Sequence, residues 1–374
     1  MHRGLDSFRA IAFLLVFLFH TKVAGFGYLG VQAFFVLSGF LLTPILIEMK
    51  DSLPDREFFL KFYARRALRI FPLYYFYLLG IAAALWMLQM TTGEPGWQKG
   101  ARFFEQLPFA LTYTFDFLHA SKEYQPSPLI SHFWSLSVEE QFYLLWPLAI
   151  WCVPAERRRW ALATVVFVGP LVRFLTGELS RSGLAFWLSP SVDLPVYVLP
   201  FSHFDAFAIG GYFALYVRHN GNARIGVLFG FLIAAGLVSS WLATGRADWN
   251  SLGYTEFMKD SYKYVWGYSL FNLMFALILV AVRERRFLPQ LMEHRALAYL
   301  GTISYGLYVY HFPIVFAFQR LDNIVPGPLL ILLKLAITII VAGLSYHLME
   351  KRFLRLKDRH FSKVAPTAAN TVQT

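Results

Sequence analysis

The feature that most limits how this chain can fold is a series of stretches, each roughly twenty residues long and nearly free of charge. Wound as a helix, such a stretch spans the roughly 30 Å hydrocarbon core of a bilayer with its backbone amides and carbonyls bonded internally. Ten of them lie near residues 5–24, 28–49, 70–90, 133–153, 159–177, 203–217, 225–244, 264–282, 296–318 and 328–349. The segment 203–217 is short. An eleventh candidate, 103–118, is interrupted by Glu105, Pro108 and Asp116, as a surface-lying or re-entrant piece would be. Composition excludes a soluble alternative, because only 15% of the 374 residues are charged and 18% are aromatic. Soluble chains carry about 25% charged residues, and so many aromatic rings on a wet surface would leave large apolar patches.

The distribution of Lys and Arg orients the spans. With ten crossings and a cytoplasmic N-terminus, 23 of the 34 Lys and Arg residues fall in cytoplasmic segments, nine fall opposite, and Arg173 and Lys334 lie within spans. Counting 103–118 as a crossing would place Arg157, Arg158 and Arg159 outside, against the positive-inside bias. The expected fold is therefore all-α: a polytopic transmembrane helix bundle of about ten crossing helices, both termini cytoplasmic. The net charge of +11 serves membrane orientation. No basic stripe interleaved with aromatics marks a nucleic-acid partner. The single cysteine, Cys152, excludes a disulfide framework and multi-thiolate metal sites. Lys22 sits where a cut after Ala24 needs a small residue, so the first span is expected to be retained. Residues 1–350 read as one transmembrane domain, and 351–374 as a basic, then polar, disordered cytoplasmic tail.

Charges inside the spans point to function. Glu139, Glu140, Asp205 and Arg173 facing lipid would together cost about 10–14 kcal/mol on insertion scales, so they must pair with one another or face an interior cavity. Arg9 and His20 are eleven residues apart, within about 20° of one helix face and separated by roughly 16 Å along the axis. An isolated histidine is ordinarily a hydrogen-bonded core group. Here His20, Glu139, Glu140, His203, Asp205 and His311 all fall in the outer half of the spans, and an imidazole beside an acid is suited to activating a hydroxyl. The same residue types could hold a metal, but no two histidines share a helix face at ligand spacing, and no metal is expected.

On the cytoplasmic side the run YARRALRIFP puts Arg65, Arg66 and Arg69 within little more than one helical turn. Arginine forks grip phosphates and would suit a nucleotide-bearing cofactor such as coenzyme A; taken alone, plain positive-inside anchoring or contact with anionic headgroups is the better account of the cluster. Ser38 beside Gly39 reads as small-residue helix packing, since no base stands at an adjacent helical position. Lys334 and His347 are assigned no chemistry; Lys334 can snorkel to the interface.

Six ordered stretches resemble the acyltransferase 3 family of polytopic membrane O-acyltransferases: LDSFRAIAFLLVFLFH, GYLGVQAFFVLSGFLLT, FYARRALRIFPLYY, HFWSLSVEEQFYLLWP, HFDAFAIG and ISYGLYVYHFP. The resemblance covers nearly all of positions 4–350. It implies transfer of an acyl group, commonly acetyl, from cytoplasmic acyl-CoA to a hydroxyl of a glycan or similar acceptor at the bacterial cytoplasmic membrane. It implies His20, Glu139 and Arg9 as catalytic residues, with Arg65, Arg66 and Arg69 binding acyl-CoA. It further implies Gln32, Trp134, His203, Asp205, Tyr305 and His311 on the acceptor side. Gln32 stands where many members have Asp, and His203 where Arg is expected, departures that bear on acceptor specificity. On this reading Glu139 orients His20, and transfer is direct. The competing reading from the residues alone is a proton-coupled transporter or flippase of a glycan or small metabolite, in which buried acids and histidines relay protons.

Overall fold

The computed structural model describes residues 3–92, 97–258, 262–322 and 324–361. Of the described residues 81% are helical, and they form no strand. In chain order the helices are α1 (Arg3–His20), α2 (Leu29–Ser52), α3 (Asp55–Thr92), α4 (Trp97–Leu111), α5 (Phe115–His119), α6 (Trp134–Cys152), α7 (Arg158–Ser182) and α8 (Asp193–Val198). They continue with α9 (Phe204–Tyr216), α10 (Asn222–Thr244), α11 (Lys263–Arg283), α12 (Pro289–Met292), α13 (Arg295–Thr302), α14 (Ser304–Ala317), α15 (Gly327–Ser345) and α16 (Lys351–His360).

Among the described residues six helical segments are long and apolar enough to cross a membrane: those built on α2, α3, α7, α10, α11 and α15. The other four expected spans differ for physical reasons. Helix α1 carries Asp6 and Arg9, and α6 carries Glu139 and Glu140 within an otherwise apolar run. Helix α9 has only 13 residues, and the expected span 296–318 is broken at Ile303 into α13 and α14. These four polar or interrupted segments supply most of the interior polar groups described below. The disordered tail expected from Lys351 is instead helical over Lys351–His360, and residues 362–374 lie outside the described set.

Exposed apolar stripes mark the outer surface. Phe167, Leu171 and Leu175 on α7, and Val227, Phe231, Val238 and Leu242 on α10, recur near helical spacing and are all exposed, a face suited to hydrocarbon. Helix α3 runs for 38 residues, about 57 Å at 1.5 Å per residue, well beyond one bilayer core. Its first half carries the arginine cluster.

Inside, small residues let backbones touch. A Cβ added at Gly39 of α2 would sit 2.0 Å from the Phe207 carbonyl of α9, and one at Gly210 of α9 would sit 2.0 Å from the Val36 carbonyl of α2. Close backbone approach maximises dispersion contact where lipid supplies no hydrophobic drive. Helix α13 meets α1 as closely, at Gly301 against the Asp6 carbonyl. We expect Gly210→Val to separate α2 from α9 and destabilise the protein by more than the roughly 1–3 kcal/mol of an ordinary overpacked core. Gly230→Ala on α10, where an added Cβ meets nothing within 4 Å, should be silent. Thermal unfolding of the two variants in detergent checks the contrast; equal stability would refute the contact.

Candidate active site

A cavity of about 410 Å³ opens among α1, α2, α3, α6, α14 and α16. Five cations line it: Arg9, Arg65, Arg66, Arg69 and Lys357. Helix α3 places its three arginines on adjacent turns, so a single helix face presents them together. Arg9 is paired with Asp6, and Arg65 reaches Asp358 at 3.6 Å and the Phe361 carbonyl. Among the described residues Arg66 and Arg69 have no carboxylate within 4.0 Å; Arg66 lies over the Phe62 and Tyr143 rings, and its Nε is buried without a hydrogen-bond partner. A guanidinium so placed has donor capacity left for an anion.

Further along the same cavity, Glu139 of α6 accepts a hydrogen bond from Ser38 Oγ of α2 at 2.7 Å and another from the Tyr143 hydroxyl. Glu140 also lines the cavity, with Oε1 buried and unpaired. Ser135 and Tyr308 are hydrogen-bonded to each other across α6 and α14 and line it as well. Tyr305, donating to the Ile70 carbonyl at 3.2 Å, holds α14 against α3.

The histidines form a separate group beside Tyr308. His20 Nδ1 lies 3.0 Å from His311 Nε2, and His311 Nδ1 lies 2.6 Å from the Tyr308 carbonyl. His132 joins them, its ring centroid 5.3 Å from that of His311 and its Nε2 donating to the Val309 carbonyl at 3.2 Å. None of the three lines the cavity. Among the described residues no group of three or more His, Cys, Asp or Glu side chains is arranged to hold a metal ion.

The third polar group is sealed. Arg173 of α7 and Asp205 of α9 form a two-pronged ion pair, both contacts 2.9 Å, with neither side chain exposed. Ser269 of α11 bonds both partners. Beside it, Gln32 Nε2 donates to His203 Nδ1 at 2.9 Å, His203 Nε2 donates to the Tyr197 carbonyl at 2.7 Å, and Trp134 packs on Tyr197. Gln32, Trp134, His203 and Asp205 are all buried, and none lines the cavity.

The expected single slab of ionisable groups is thus three sites. Arg9, Arg65, Arg66, Arg69, Glu139 and Tyr305 share the cavity, whereas His20 and His311 pair apart from it. Glu139 is not the partner of His20, because its carboxylate is turned to Ser38 and Tyr143. Ser38, read from sequence as packing, faces the cavity, since its acidic partner comes from a different helix. Lys357 and His132 had no role in the sequence reading: Lys357 lay in the expected tail, and His132 just before the start of α6. Only the three-residue step from Tyr308 to His311, which lets the ring reach back to a carbonyl one turn earlier, hinted at the histidine arrangement.

A family profile for the Acyl_transf_3 acyltransferase domain matches residues 2–347. The chain belongs to that family. YrhL of Bacillus subtilis is 27% identical over 390 residues, covering 96% of this chain and 56% of its own. The peptidoglycan O-acetyltransferase OatA of Listeria monocytogenes is 27% identical over 365 residues, covering 93% and 55%. The O-acetyltransferase OatA of Staphylococcus aureus is 24% identical over 368 residues, covering 93% and 56%. The chain therefore spans about half the length of these curated relatives. No solved structure matches.

The sealed pair yields a stability prediction. Asp205→Ala should leave Arg173 charged and unpaired in the interior, costing about 3–5 kcal/mol, while the double replacement Arg173→Met with Asp205→Leu should recover most of that loss. Thermal unfolding of the single and double variants measures both, and a mild single variant would show that the pair is not fully desolvated.

Proposed function

We propose that this chain is a multi-pass O-acyltransferase of the bacterial cytoplasmic membrane. It moves an acyl group, acetyl foremost, from cytoplasmic acyl-CoA to a hydroxyl of a cell-envelope glycan on the opposite side. The observation that carries the reading is the cavity lined by Arg66 and Arg69, which among the described residues have no carboxylate within 4.0 Å. Family membership and relatives named as O-acetyltransferases supply the reaction class. Ten crossings with cytoplasmic termini put the arginines on the donor side and His20 on the acceptor side.

In this mechanism Arg65, Arg66 and Arg69 hold the donor's phosphates, with Arg9 and Lys357 adding positive charge. Glu139 and Ser38 offer polar contacts to the amides of the pantetheine arm. The acyl end extends toward Tyr308 and His20, a reach of roughly 16 Å from the level of Arg9 along α1, comparable to that arm. His20 is the general base toward the acceptor hydroxyl. Exclusion of water from this interior strengthens the polar contacts and limits hydrolysis of the thioester.

The test uses purified protein oriented in sealed vesicles, with labelled acetyl-CoA on the cytoplasmic face and peptidoglycan fragments on the other. Label should pass to the glycan across the membrane, and product formed only when both substrates share the cytoplasmic compartment would overturn the route. His20→Ala should lower turnover by about 10²–10⁴ without loss of folded protein. Arg66→Ala and Arg69→Ala should each weaken donor binding by roughly tenfold to a hundredfold, as expected for charged hydrogen bonds of about 1.5–3 kcal/mol. Unchanged donor affinity in the double variant would reduce the cluster to a topological anchor.

A further inference from the structure

We infer that His311 is a positioning residue that holds His20 as its Nδ1–H tautomer and leaves His20 Nε2 as the basic atom. The inference rests on the reading of His20 as general base and adds what sets the base's proton. It follows from donor and acceptor counting along one chain of contacts. The Tyr308 carbonyl can only accept, so His311 Nδ1, 2.6 Å away, carries the proton and donates it there. A neutral imidazole has one N–H, so His311 Nε2 presents a lone pair. That lone pair faces His20 Nδ1 at 3.0 Å. Two lone pairs at that distance repel, so His20 Nδ1 must bring the hydrogen. The Val16 carbonyl, one turn back on α1, lies beside the same ring. His20 Nε2 is then the unprotonated nitrogen of that ring.

The rings around the pair hold this arrangement. Phe13 and His132 meet the His311 ring near edge-on at 5.6 and 5.3 Å, and Phe312 meets His20 at 4.9 Å. Tyr308 also lines the donor cavity with its side chain, so the residue whose carbonyl anchors the histidine chain borders the space where the thioester would end. In a Ser-His-Asp triad a carboxylate fixes the tautomer; here an oriented neutral imidazole does so, while Glu139 is engaged elsewhere.

The transfer step is then explicit. The acceptor hydroxyl gives its proton to His20 Nε2, and its oxygen bonds to the thioester carbonyl carbon. The C–S bond breaks, and the departing thiolate takes the proton back from Nε2, leaving an ester and a free thiol. His311 exchanges no proton in this cycle; it keeps Nδ1 of His20 protonated throughout.

The test combines nitrogen-15 NMR of histidine-labelled protein in nanodiscs with kinetics, for the unaltered chain and for H311Q, H311L and H20A. The His20 resonance, assigned by its loss in H20A, should report the Nδ1–H tautomer in the unaltered protein. H311Q, whose amide oxygen reaches about where Nε2 lies, should keep that tautomer and most of the turnover. H311L should shift His20 toward Nε2–H and lose roughly 10–100-fold in kcat, the size of effect found for groups that orient a ligating or reacting histidine. The KM for acetyl-CoA should change little. An Nε2–H tautomer in the unaltered protein overturns the inference, and that measurement needs no variant to fold. H311L with unchanged tautomer and turnover overturns it too, since the Val16 carbonyl would then suffice. If H20A itself turns over normally, the general-base reading fails, whatever the tautomer.

Discussion

An interior that water does not reach must satisfy its own polar groups, and that constraint organises this protein. Arg173 and Asp205 show it most plainly: a fully buried guanidinium and carboxylate, joined through two contacts and bridged by Ser269, bind α7, α9 and α11 into one unit. Helix α9 in turn lies backbone to backbone against α2 through Gly39 and Gly210. Helix α2 then has its remaining faces free to offer Ser38 to the cavity and Gln32 to His203. Rigid pairing on one side of α2 thus supports a solvent-sized space on the other. A buried ion pair adds little net stability over apolar packing, but it discriminates strongly against any arrangement that parts its members.

Much of the architecture was legible because insertion energetics act on single segments. Length and apolarity are local properties, and the all-helical architecture they imply is present, with six of the ten expected spans long and apolar enough to cross a membrane among the described residues. The clustering of Arg65, Arg66 and Arg69 was legible for the same reason, since 3.6-residue periodicity alone aligns them. The need of Arg173 for a buried acid followed from its cost. What escaped was every relation set by how helices meet. Glu139 was assigned to His20 on depth, but depth does not fix rotation about the helix axis, and α6 turns that carboxylate toward α2. Ser38 had no base on its own helix, although one stood across the interface. The interruption at Ile303 and the folding of α16 onto α3 depend on partners distant in sequence, so 296–318 read as one span and Lys357 as part of a tail.

Several of the interior polar groups sit on helices that are too charged or too short to cross a membrane alone. Helices α1, α6, α9 and α14 fall short of a membrane span by charge or by length, and they carry Arg9, His20, Glu139, Asp205 and His311. Helix α7 packs on α9 and α15 packs on α14, and both carry exposed apolar faces on their outer sides. Such helices would insert poorly alone and rely on the bundle to hold them at depth, so under the proposed function stability and activity are expected to be coupled at the helix contacts and separable at His20.

The hydrogen bond between Ser135 and Tyr308 has a further meaning for a cell. Both residues line the basic cavity, and Tyr308 also packs against His132 and His311. A passage open along its whole length would conduct protons and small ions, and a membrane that stores energy as an ion gradient cannot tolerate such a leak. Under the proposed transfer across the membrane, closing the gap with a serine and a tyrosine, side chains that can exchange partners without moving the backbone, would let the two sides be chemically joined while remaining electrically insulated.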